Sequence, residues 1–146
     1  MTARLSRMIL AAGALALGAC TSFDAKWNAA SKGATRWDGR WSSEKHHAPG
    51  GGPAGGRLRC ILTEIPGAAR ERSAAFHANW MLFSSDYAMK LTPVPGSRTD
   101  FRGTHELPKM FGGIYRYDAR ISGSRFTARY DSSYDHGTFA LRRVAR

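Results

Sequence analysis

Eight stretches of this chain alternate apolar and polar residues with a period of two, and residues typical of turns separate them. They run over 36–43, 57–65, 72–83, 86–94, 99–106, 113–122, 124–132 and 137–144. Successive side chains of a strand point to opposite faces, so parity sorts each stretch into two sets. One set carries Trp37, Gly39, Trp41, Leu58, Cys60, Leu62, Phe76, Trp80 and Leu82, and continues through Tyr87, Leu91, Phe101, Tyr117, Phe126, Phe139 and Leu141. The other carries Arg36, Arg40, Arg59, Lys90, Arg102, Arg116, Arg120, Arg129 and Arg142. Antiparallel sheets with one wet side show this pattern. Eight such strands in sequence, joined by short connections, predict an all-β fold: an antiparallel up-and-down barrel, which leaves no exposed sheet edge.

Residues 68–83 also fit a helix, because Phe76, Trp80 and Phe83 recur at helical spacing. Nine residues of alternation from Ala74 to Leu82 favour the strand. With 42% apolar and 23% charged residues the chain has the composition of a folded domain. The alternating region, 36–146, is the length of one small domain.

The first twenty residues follow another rule. Arg4 and Arg7 precede an apolar run, Met8 to Ala19, that is too short to span a bilayer. The run ends in Leu17-Gly18-Ala19-Cys20, which resembles the lipobox of bacterial lipoproteins. The resemblance implies a signal peptide over 1–19, cleavage before Cys20, lipid attachment to the Cys20 thiol and a membrane anchor in the cell envelope. Thr21 in place of Asp implies the outer membrane, facing the periplasm, in a Gram-negative cell. Two or more acyl chains anchor stably where one does not. Residues 20–35 are small, polar and aperiodic, and are expected to form a lipidated tether, in which Trp27 has no evident role.

Cys60, within Leu58-Arg59-Cys60-Ile61-Leu62, reads as a small buried hydrophobe. The formal charge is +11, of which Arg4 and Arg7 supply two. A basic chain in the envelope favours anionic partners, such as lipid headgroups or an anionic envelope polymer. No nucleic-acid-binding signature is present, and nucleic acid is not an expected partner.

Gly39-Arg40-Trp41 on the first strand and Arg142-Arg143 on the last resemble the calycin pattern of lipocalins, fatty-acid-binding proteins and avidins. The resemblance implies that Trp41 packs inside the closed end, with Arg143 lying across its indole. The chain also resembles bacterial lipoproteins of unassigned function that carry a Gly-x-Trp start and an Asp-x-Gly-x-Phe end, here Asp135, Gly137 and Phe139.

In a meander barrel alternate loops share an end. The loops at 43–57 and 131–137 then become neighbours across the closure, bringing His46 and His47 near Asp135 and His136 as a candidate site at the open end, away from the tether. Their spacing matches no established metal motif, and no metal or other cofactor is expected. Nor does any nucleophile, acid pair or phosphate loop suggest an enzyme. Aromatic bulk argues for a filled barrel, whereas Ala74, Ala78, Ala119 and Ala128 leave room for a small pocket. The expected function is non-enzymatic binding of a small apolar ligand or an anionic envelope component. The alternative is a structural or inhibitory protein-interaction module with a filled barrel.

Overall fold

The computed structural model describes residues 22–30 and 33–145. The proposed signal peptide and Cys20 lie outside the described residues. The chain order is α1 (Phe23–Asn28), β1 (Ala34–His47), β2 (Pro53–Glu64), β3 (Arg72–Trp80), β4 (Phe83–Pro93), β5 (Asp100–Glu106), a short 3-10 turn (Lys109–Phe111), β6 (Ile114–Ser122), β7 (Arg125–Asp131) and β8 (His136–Arg143). Neighbouring strands pair antiparallel throughout, and β1 pairs with both β2 and β8. The sheet is therefore a closed eight-stranded up-and-down barrel.

Residues 72–80 form a strand and not a helix. The strand stops three residues sooner than the alternation suggests. Trp80 pairs with Phe83, and Met81-Leu82 is a two-residue turn with φ of 51° at Met81. Trp80 and Leu82, expected on the inner face, stand outside it instead, because the alternation runs on through the turn.

The first hairpin is longer than expected at both arms. Gly39 explains part of its closeness to the last strand: a Cβ there would collide with the carbonyl oxygen of Ala140 on β8. Gly56 plays the same part toward β3, where a Cβ would meet the Asn79 carbonyl. Only glycine allows two backbones to approach this closely. Near its end β1 bulges, the register with β2 jumping between Ser42 and His47.

The interior changes character along its axis. In the half nearer the chain termini Phe126 is the hub, with Trp37, Phe76 and Phe139 rings centred 5.7, 6.3 and 5.3 Å from its own. Cys60 is free and fully buried among them in the same core, and burial pushes its thiol pKa up. Toward the other end phenols replace phenyls. Tyr115, Tyr117 and Tyr130 form a triangle with centroids 6.1 to 6.5 Å apart.

The segment expected to be a tether is partly ordered. Ser22 caps α1, its hydroxyl accepting from Ala25 N at 3.3 Å. Six residues cannot hold a helix alone in water. Packing holds this one. The Arg59 guanidinium, on the outer face of β2, lies 5.1 Å from the Phe23 ring and 5.3 Å from the Trp27 ring, and 2.8 Å from the Asp24 carboxylate. Phe23 is buried and stacks on His77 of β3 at 5.2 Å. Arg36 sits 5.7 Å from Trp27. Trp27 thus has a role, as half of an aromatic clamp on Arg59.

Candidate functional site

The barrel is filled at one end and hollow at the other. The hollow end holds a cup of about 190 Å³, below the roughly 300–1,000 Å³ of clefts that enclose drug-sized ligands. Its wall is largely aromatic, from Trp41, Tyr87, Tyr115, Tyr117, Tyr130 and Phe139, with Ala78 giving the space. Polar groups are few: phenol hydroxyls, His105, Ser85 and the edge of Asp135. Burial raises the Tyr87, Tyr117 and Tyr130 pKa values, and the Asp135 charge adds to the effect at Tyr130. These phenols therefore stay protonated at neutral pH. They carry no negative charge, and the Tyr130 and Tyr115 hydroxyls donate to Asp135 and to the Phe111 carbonyl.

Two features hold the wall of the cup in place. The Trp41 indole crosses Gly56 and donates from Nε1 to the Asn79 carbonyl at 3.0 Å, tying β1 to β3 over β2. Ser43 and Asp135, both buried, tie the outer part of β1 to the loop before β8, the hydroxyl donating to Oδ1 at 2.6 Å. The Tyr130 hydroxyl donates to Asp135 Oδ2 at 3.0 Å. Ser43 Oγ in turn accepts from the main-chain N–H groups of Lys45 and His46, at 3.1 and 2.8 Å. These bonds replace ladder partners that the β1 bulge removes.

The loops expected to meet across the closure do meet. His46 stacks on Tyr134 at 4.8 Å, its Nε2 3.1 Å from the Tyr134 carbonyl. The side chains do not form one site. Asp135 turns inward to Ser43 and Tyr130, while His47 and His136 are exposed. Among the described residues no three His, Cys, Asp or Glu side chains group to hold a metal ion.

The expected contact between Trp41 and Arg143 is not formed. The β1–β8 register sets Trp41 opposite Phe139 and Arg143 opposite Trp37. Trp37 is the deeply buried indole, Trp41 lines the cup, and Arg143 is exposed. The Gly-x-Trp triplet thus begins one turn of the pleat too far along β1, because Trp37 and Trp41 share parity and sequence alone does not rank their depth.

Sequence reasoning missed Ser43, since a serine in a polar stretch gives no sign of burial. It also missed the Trp80-Met81-Leu82-Phe83 tip. Four consecutive large apolar residues break the alternation there, and that was the available signal.

No protein-family model matches the chain, and a search of curated proteins finds no match.

Proposed function

We propose that the chain is a lipid-anchored, calycin-like β-barrel of the cell envelope that binds a small apolar molecule in the open-end cup. The half-empty barrel carries this reading. The cup is apolar at its walls and its phenols are uncharged, which suits an uncharged, largely apolar ligand. Its volume suits a ring system or the end of an acyl chain rather than a whole lipid. The anchor rests on Leu17-Gly18-Ala19-Cys20, and the calycin likeness on the closed eight-stranded up-and-down barrel, with Arg143 standing opposite Trp37 rather than Trp41. Binding rather than catalysis is the role in this reading.

The runner-up is an anionic envelope component on the basic wall. It is favoured by Arg125 and Arg142, which lie directly opposite each other on β7 and β8. Neither has a carboxylate partner among the described residues, and facing like charges are unfavourable unless an anion joins them.

Native mass spectrometry of the chain purified from its own envelope tests the ligand. A stoichiometric small molecule is expected, and Ala78→Phe, which fills the cup, is expected to lose it. An empty wild-type barrel sinks the ligand reading. For the anchor, labelled palmitate is expected in the wild type and not in Cys20→Ser; equal labelling, or none in either, sinks it.

A further inference from the structure

Eight large apolar side chains are exposed among the described residues, and all eight lie at the open end. Trp80, Met81, Leu82 and Phe83 form the β3–β4 tip. Met110, Phe111 and Ile114 lie in and just after the β5–β6 connection, and Tyr134 in the β7–β8 loop. Scattered exposed hydrophobes are ordinary, but a cluster at one pole marks an interaction site.

The tip is also thrust outward by the topology. β4 pairs with β3 along its length, from Phe83 to Leu91. It pairs with β5 only at Leu91, Thr92 and Pro93. β3 stays paired with β2 as far as Ala78, so the hairpin keeps to the barrel wall until its last turn, Asn79 to Ser84, which projects with Leu82 96% and Phe83 72% exposed at its end. Where β4 parts from β5, the Tyr87 and His105 rings, 5.1 Å apart, pack together beside the cup.

We infer that the open end is a membrane-docking face: the Trp80-Met81-Leu82-Phe83 tip, with Met110, Phe111 and Ile114, enters the interfacial region of a phospholipid bilayer and turns the mouth of the cup toward the lipid. Two observations select a bilayer as the occupant. The residue types are those of interfacial insertion, aromatic and aliphatic at the tips of narrow loops that can reach the headgroup–acyl boundary. The seat of α1 agrees. Phe23 is seated on His77, three residues before Trp80 on the same strand, or about 10 Å along it. Helix α1 therefore lies against the wall that carries the tip. A second copy of the chain fits less well, because narrow protruding tips do not supply the roughly 800 Å² per partner of a stable interface.

The inference needs neither an occupied cup nor a lipidated Cys20. Its test uses the full chain on vesicles of phosphatidylethanolamine and phosphatidylglycerol whose acyl chains are brominated, with Trp80→Phe as reference. Bromine in the acyl region is expected to quench wild-type emission more than that of Trp80→Phe. Leu82→Asp is expected to abolish the difference, and its circular dichroism to match the wild type because Leu82 makes no core contact. Equal quenching of wild type and Trp80→Phe on the same vesicles places Trp80 in water and overturns the inference. A lipid-free dimer that Leu82→Asp dissociates overturns it in favour of self-association. An empty cup with a quenched Trp80 defeats only the ligand reading, and a filled cup with Trp80 in water defeats only this one.

Discussion

Ser43 donates to Asp135 across 2.6 Å at the top of the seam where the first and last strands meet. The last β1–β8 pair is Ser43 with Gly137, so this bond begins where the main-chain ladder ends. With Tyr130 on the other carboxylate oxygen, Asp135 holds three segments at the mouth of the cup.

Replacing Asp135 by Ala strands two buried hydroxyls, and each loses a charged acceptor. The expected loss is about 1–3 kcal/mol in urea unfolding. A loss below about 0.5 kcal/mol would remove the seam from the account of stability.

Trp37 and Trp41 are expected to respond unequally. Trp37→Ala empties the centre of the filled half and is expected to cost about 3–5 kcal/mol. Trp41→Ala opens the cup and leaves the Asn79 carbonyl without its donor, at about 1–2 kcal/mol. Chemical denaturation of both variants checks the order, which is the reverse of what the calycin resemblance implies.

Phe23→Ala frees α1 without opening the barrel. Burying a Phe ring is worth about 1.5–3 kcal/mol, so proteolysis between α1 and β1 is expected to accelerate at least about tenfold. Far-UV circular dichroism of the strands is expected to stay constant. Unchanged cleavage rates would mean that Arg59 and Trp27 hold the helix alone.

Asp38 is held below the usual carboxylate range, chiefly by its hydrogen bond to Arg57 on the outer wall, whose Nε lies 3.0 Å from Oδ1. The folded pKa is the lower one, so the pair stabilises above about pH 4 and the contribution fades as pH falls below it. Exposure limits it to about 0.2–1 kcal/mol. Asp38→Asn is expected to be weaker than wild type at neutral pH, with the gap narrowing as pH falls below about 4, as followed by urea unfolding across that range. A gap that does not narrow contradicts the assignment.

The barrel was legible because parity survives without any knowledge of register: Leu58, Phe76, Phe126 and Leu141 face inward wherever their strands sit along the axis. What needed register was not legible. Trp37 and Trp41 have the same parity and differ only in depth. The histidine loops were placed together correctly by topology, yet Asp135 points away from them because two hydroxyls, on Ser43 and Tyr130, offer a better partner than solvent. Helix α1 left no periodic signal because six residues complete too few turns, and its stability comes from Arg59 and His77, more than thirty residues away.

Because β1 pairs with both β2 and β8, the seam cannot begin to form until the C-terminal strand has been made. Hairpins such as β3–β4 are local and can form early, but closure joins segments nearly the whole domain apart, which makes it the slow step. Until then β1 and β7 are open edges able to pair with another chain. A chain delivered through a membrane from its N-terminus would carry those edges throughout its passage, so escort by a chaperone until the final eight strand residues arrive is part of what this topology demands.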